Sequence, residues 1–284
     1  MSKQLDIEDF PDFKLLDEGL SNTLYVSVTE GQLLRFYGSK SELCDRETEI
    51  QIMTKVGQLN LGPKIITIYP NGRIEQFLIG YHSIGAFPNN VKLAKSVKVM
   101  KDFHDIKIGG LNKKPMVIKQ LELWSQMAQE LDTTNEILKD LCDDISVVID
   151  KINEMCEHDK LVLCHNDLTY GNILMNRDGI IKLVDFEYSG LNYREYDIAN
   201  FINELEFEYC KDGTFKYQKM DDEYIYELIQ THYGNVDIDK VKFFRRVSHL
   251  IWGMWSLIQY QKSDIEFDYL SHASIRFELF RNIY

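Results

Sequence analysis

His165-Asn166-Asp167-Leu168-Thr169-Tyr170-Gly171-Asn172, followed thirteen residues later by Asp185-Phe186-Glu187, is the stretch on which the reading turns. It lies in a short β-rich island. Val162–Cys164 leads into it, Asn172–Met175 and Ile180–Val184 read as strands, and Asn176-Arg177-Asp178-Gly179 reads as the turn between them. Asp167 then stands at the end of one strand, while Asn172 and Asp185 stand at the two ends of a hairpin. A carboxylate beside an acceptor hydroxyl, plus hard oxygen donors that hold Mg²⁺ on nucleotide phosphates, is what phosphoryl transfer asks of a protein. At about 5% per residue type, four fixed positions match by chance about once in 10⁵ windows. The chain has only 284 residues in which to find one.

Outward from the island the pattern changes. Upstream, Phe13–Leu16, Leu24–Val28 and Leu33–Tyr37 are short apolar runs, the first two separated by the turn-rich Glu18-Gly19-Leu20-Ser21-Asn22. Residues 45–59 have helical spacing, with Ile50, Met53 and Val56 on one face, and Lys64–Tyr69 and Ile74–Ile79 flank the turn Pro70-Asn71-Gly72-Arg73. Helices are expected over 90–106, 119–132, 135–158, 195–210, 221–232, 238–261 and 268–282. The architecture expected is α+β: a small mixed β/α N-lobe over residues 1–79 and a larger, mainly helical C-lobe over 80–284. A ligand is expected in the cleft between two such lobes.

Composition narrows the function classes. The chain is 44% hydrophobic and 27% charged, which fits a globular protein. A net charge of −13 argues against sequence-independent nucleic-acid binding and against a polybasic membrane contact. The N-terminal MSKQLDIEDFPDF has no apolar core, so no signal peptide is expected, and the uncharged run from Val247 to Gln261 is too short and polar to span a bilayer. Five cysteines without CxxC spacing suggest neither a zinc site nor a disulfide framework, and a reducing cytoplasm is the default expectation.

At the island the sequence resembles the choline/ethanolamine kinase family, a branch of the protein-kinase-like fold. That family's H-N-D-x-x-x-x-N motif stands at His165–Asn172, its I/V-D-F-E-Y at Val184–Tyr188, and its N-Y-x-x-x-D-I-x-N-x-x-x-E at Asn192–Glu204. Leu61-Gly62-Pro63-Lys64, Gly72-Arg73-Ile74-Glu75-Gln76-Phe77 and Trp252-Gly253-Met254-Trp255-Ser256-Leu257-Ile258-Gln259 extend the likeness to about residues 17–280.

The resemblance implies an ATP- and Mg²⁺-dependent kinase of amino alcohols, with a bilobal fold. Asp167 would accept the proton of the substrate hydroxyl, Asn172 and Asp185 would hold Mg²⁺, and His165, Asn166 and Asp197 would brace the loop. Ser21 and Asn22 would face phosphate. Arg35 would be the nucleotide-phosphate cation with Glu49 as its ion-pair partner and Glu47 as the less favoured alternative, and Gln76, Phe77 and Leu78 would form the hinge beside adenine. Trp252 and Trp255 share a helical face, and with Tyr188, Tyr209 and Phe267 they would surround the cationic head group, Glu204 balancing its charge. His272 falls where choline kinases often carry Tyr. The substrate implied is choline, for phosphatidylcholine synthesis. The alternatives are ethanolamine, an aminoglycoside-type small-molecule kinase, and a catalytically dead kinase-like module. The resemblance is also compatible with a homodimer.

Asp167→Asn keeps the side chain's shape and removes proton acceptance. Turnover should fall about 10²- to 10⁴-fold while ATP binding persists; more than about a tenth of wild-type kcat in the purified variant would remove Asp167 from the role of base.

Overall fold

Alternating apolar residues and well-placed caps generate the elements. In the computed structural model, which describes residues 4–18, 22–38, 44–130, 136–263 and 265–282, the chain begins with β1 (Lys14–Glu18), β2 (Asn22–Ser27), β3 (Gln32–Tyr37), α1 (Arg46–Gln58), β4 (Ile65–Tyr69), β5 (Gly72–Gln76) and β6 (His82–Ser83). Next come α2 (Asn90–His104), α3 (Met116–Gln129), α4 (Glu136–Met155), β7 (Val162–Cys164), β8 (Ile173–Met175), β9 (Ile181–Leu183) and β10 (Gly190–Asn192). The remainder is α5 (Arg194–Leu205), β11 (Phe207–Tyr209), β12 (Phe215–Tyr217), α6 (Asp222–Tyr233), α7 (Ile238–Lys262) and α8 (Tyr269–Asn282). Two compact units result: Met1–Gly85 with Tyr170–Ser189, and Ala86–Thr169 with Gly190–Tyr284.

In the first unit, β1 to β5 form an antiparallel sheet of order β1-β2-β3-β5-β4. Leu34 and Ile74 are cross-strand partners and pack with Leu5 and Phe13 in its core. α1 starts at Asp45, whose carboxylate accepts from the Thr48 N–H (3.2 Å). Beyond its end Asn60 takes φ of 59°, a left-handed conformation that asparagine tolerates. The following segment docks on β9, where the Leu183 N–H donates to the Leu61 carbonyl at 2.9 Å. Gly62 is required there, because a Cβ would lie 2.7 Å from the Leu183 carbonyl oxygen. β6, β8 and β9 form a second small sheet, and the turn at Asn176–Gly179 is the expected one, with Gly179 at φ 75°.

The second unit is helical around α7, which packs against α3, α5 and α8. Several elements, in both units, differ from the sequence expectation. The helix expected over 195–210 stops at Leu205, and Phe207–Tyr209 instead pairs antiparallel with Phe215–Tyr217. Alternating aromatics on both strands bury Phe207, and Gly213 at φ 77° closes the loop. The strand expected over Ile74–Ile79 ends at Gln76. Among the described residues, no helix is long and apolar enough to cross a membrane.

Gly72 sits opposite Phe36 in the β3–β5 ladder, and a Cβ there would lie 2.4 Å from the Arg35 backbone oxygen. Gly72→Ala should therefore force the two strands apart and cost about 1–3 kcal/mol, measured as a lower urea midpoint with unchanged m-value.

Candidate active site

In the first unit the hairpin β8–β9 brings Asn172 and Asp185 to one end, because the Val184 N–H donates to the Asn172 carbonyl at 3.0 Å. Asp185 has φ of 66°, an unusual left-handed backbone for a non-glycine residue. Its carboxylate is a third exposed and lies 3.3 Å from Arg35 Nη1. An amide oxygen and a carboxylate are hard donors, so Asn172 and Asp185 fit a Mg²⁺ ion by chemistry.

Arg35 and Arg73 face each other across β3 and β5, an arrangement of like charges that needs carboxylates between them. Glu75 supplies one: it meets Arg73 Nε at 2.7 Å and Arg35 Nη2 at 3.4 Å, all three side chains being buried. Glu49 supplies the other. Its ion pairs run to Arg73 Nη2 (2.8 Å) and to Arg46. The two-residue Arg35–Glu49 pair expected from sequence is thus a larger network: Arg35 pairs with Glu75 and Asp185, and Glu49 with Arg73 and Arg46. Burial by itself would raise the Glu75 carboxyl, but the Arg35 and Arg73 guanidiniums outweigh it and hold it below the usual carboxylate range.

Ser21 lies outside the described residues. Asn22 is buried and its amide nitrogen donates to Glu187 Oε2 at 3.5 Å, tying the start of β2 to the segment after Asp185. Along the expected hinge, the Gln76 and Phe77 N–H groups donate to the Lys64 and Gly31 carbonyls (2.8 Å each), and Leu78 is buried. Tyr188 is buried in this unit as well.

In the second unit, Asp197 organises the His165–Asp167 loop. Asp197 Oδ1 accepts from the Asn166 N–H (2.6 Å) and Oδ2 from the His165 N–H (2.8 Å). Oδ2 is also joined to His104 Nε2 at 2.9 Å, and His104 Nδ1 meets the Tyr233 hydroxyl at 2.6 Å. Asn200, one turn further along α5, accepts from the Leu168 N–H at 2.8 Å. Asn166 takes φ of 66° and is held by Asn192 Nδ2 on its side-chain oxygen (2.8 Å). Asp167 itself is half-buried. Cys164 brings its sulfur near His104 and Asp197. Burial first, and then Asp197, push its thiol pKa well up, so it remains a thiol and a poor metal ligand.

The same unit gathers the expected head-group aromatics other than Tyr188. Ring centroids run Trp252–Trp255 at 5.5 Å, Trp255–Tyr269 at 6.2 Å, Tyr269–Phe267 at 4.9 Å and Phe267–Tyr209 at 6.2 Å. Trp124 extends the arc behind Trp252 at 5.9 Å. Glu204 lies in this unit too, but with its charge already matched: Arg276 Nη2 donates to Oε1 at 2.6 Å and the Tyr209 hydroxyl to Oε2 at 2.8 Å. Arg276 was not foreseen, nor were Glu75, Arg73, His104, Trp124 and Tyr269. Arg73 and Glu75 did carry a signal, since charges two apart on a strand share a face.

A family model described as choline/ethanolamine kinase matches residues 13–281. A probable choline kinase 2 of Arabidopsis thaliana is 29% identical over 267 residues, covering 87% of this chain and 75% of that one. Ethanolamine kinase 2 of Homo sapiens is 28% identical over 296 residues, covering 93% of this chain and 74% of its own. The crystal structure of choline kinase from Cryptosporidium parvum matches with a TM-score of 0.80 at 24% identity, covering 97% of this chain and 89% of that chain. That last likeness is one of fold, and the expected kinase-like α+β fold is the one observed.

Glu75→Gln leaves two buried guanidiniums short of a counter-charge and should cost about 3 kcal/mol at neutral pH. Because the folded-state pKa of Glu75 is depressed, its stabilisation is present above the unfolded pKa and is lost as pH falls through the folded one. Urea unfolding at a series of pH values should show the wild-type advantage shrinking below about pH 4; a pH-independent difference would mean that packing, not charge, is what the substitution removes.

Proposed function

The chain belongs to the choline/ethanolamine kinase family, a family of phosphotransferases with an alcohol acceptor, and from that premise we propose that it phosphorylates choline at the expense of ATP. In this reading the Asp167 carboxylate takes the proton from the choline hydroxyl as the oxygen attacks the γ-phosphorus. The bond to the β–γ bridging oxygen breaks, and ADP leaves. Arg35 offers its guanidinium to phosphate, with Glu75 and Asp185 setting its direction. Asn172 and Asp185 would hold Mg²⁺, which when bound neutralises charge on the phosphates. Asp197 keeps the loop that carries Asp167 in shape.

One observation carries the choice of choline. Each Glu204 oxygen already accepts a hydrogen bond, one from Arg276 and one from Tyr209, so the Glu204–Arg276 pair presents no net charge to a head group. A primary ammonium is strongly hydrated and wants oxygen acceptors in exchange for its water. A trimethylammonium group has no N–H to satisfy and binds to aromatic faces, at about 0.5–2 kcal/mol per ring. The arc from Trp252 through Trp255, Tyr269 and Phe267 to Tyr209 offers such faces.

The test is an ADP-release assay on purified enzyme with choline, ethanolamine and an aminoglycoside, Mg²⁺ being omitted as control. kcat/KM should be highest for choline, and Trp255→Ala should weaken choline by about tenfold and ethanolamine less. A reversed wild-type ratio would make the enzyme an ethanolamine kinase, and equal losses in the variant would reduce Trp255 to a packing residue.

A further inference from the structure

Arg276 is the hub of a buried polar group in the second unit, and its partners fix where each proton lies. The residue is fully buried on α8, with its guanidinium carbon 3.8 Å from the centroid of the Phe207 ring. Nη2 donates to Glu204 Oε1 (2.6 Å) and to the Tyr209 oxygen (2.9 Å), Nη1 meets His249 Nδ1 at 3.3 Å, and Nε meets His272 Nε2 at 3.2 Å. Arginine can only donate, so both imidazole nitrogens that face it carry lone pairs. The other nitrogen of His272, Nδ1, lies 2.5 Å from Ser256 Oγ. That hydroxyl spends its single proton on the Trp252 carbonyl (3.0 Å), so it must accept from His272 Nδ1–H. His272 is thereby held as the neutral Nδ1–H tautomer, bridging α7 to the guanidinium one turn further along its own helix.

We infer that His272 is a positioning residue for head-group binding: it clamps Arg276 so that the guanidinium stays on Glu204 and Tyr209. The inference rests on the reading of Glu204 and Tyr209 as head-group residues. Ser256, which anchors the far side of the imidazole, is bonded to the backbone of Trp252, so one side chain links the charged pair to the aromatic wall.

The polar groups facing His272 are Arg276 from its own helix, Ser256 and His249 from α7, and Tyr209 from β11. Burial, and then Arg276, hold the His272 pKa well below its ordinary value. Burial, Arg276, Arg245 and His272 do the same to His249. A proton on His272 Nε2 would set N–H against N–H at Arg276, so the clamp exists only with the imidazole neutral. The unfolded chain takes up that proton more readily than the folded one, so the stabilisation declines as pH falls below about 6.5.

Steady-state kinetics with choline varied at saturating ATP, between about pH 5.5 and 8, test the clamp. In the wild type both KM values should stay level, because the depressed His272 pKa keeps the imidazole neutral in the folded protein over this range. His272→Gln offers an oxygen to Arg276, so it should keep the choline KM within about threefold. His272→Phe should raise the choline KM about tenfold across the range without moving the ATP KM. A choline KM raised about tenfold in His272→Gln, or an unchanged choline KM in His272→Phe, would overturn the inference. Should the Phe variant fail to fold, the Gln variant and the imidazole spectra decide. Imidazole ¹⁵N spectra of the wild type give a substrate-independent check: a neutral Nδ1–H tautomer at about pH 6 is expected, and an Nε2–H tautomer or an imidazolium would also overturn it. Absence of wild-type turnover with both choline and ethanolamine is a different result, since it sinks the kinase reading while the spectra still judge the clamp.

Discussion

The carboxylate of Asp197 holds the His165–Asp167 loop, and the local geometry of that loop depends on it. Two successive backbone N–H groups, from His165 and Asn166, converge on its two oxygens, and His104 braces one of them. Hydrogen bonds to a charged acceptor are worth about 1.5–3 kcal/mol each, enough to offset the left-handed backbone of Asn166, which costs on the order of 1–3 kcal/mol. Asp197 and Asn200 are three apart on α5, so they present themselves on one face and hold successive parts of the loop. The first turn of a helix also favours the negative charge that Asp197 brings.

Elsewhere, buried charge is arranged by alternation. Asp185, Arg35, Glu75, Arg73, Glu49 and Arg46 follow one another with opposite signs through the first unit, and Glu204 with Arg276 repeats the device in the second. Removing one partner from such a series leaves an uncompensated ion in a medium that solvates it poorly. The arrangement gives direction as well as stability. Arg35 is aimed by two carboxylates and therefore presents its planar fork in a single orientation.

The β-island was legible because every local signal agreed: turn chemistry at Asn176–Gly179, apolar runs on either side and chemistry-bearing residues at the strand ends. The helical spacing of Trp252 and Trp255 was equally plain. The strand Phe207–Tyr209 was not, because three residues are too few to show a period of two and they follow directly on a helix. The partner of Glu49 was misjudged for another reason: pairing depends on the register that sets Arg35 opposite Arg73, and register is a property of two strands together. Arg276 lies four residues beyond His272 on one helix, yet its meaning comes from α5 and β11, far away in sequence, which no local pattern reports.

The clustering of indoles has a consequence for how this protein can be watched. Its three tryptophans are Trp124, Trp252 and Trp255, all in the second unit and in edge-to-face contact through Trp252. Red-edge excitation therefore lights up a single neighbourhood, the one beside the aromatic arc. A melting curve followed by that emission is blind to the sheet that carries Arg35, whose fluorophores are tyrosines such as Tyr25, Tyr37 and Tyr69. Loosening of the first unit ahead of the second would pass unseen in tryptophan light and would surface only in tyrosine emission or in the far-ultraviolet signal of the strands.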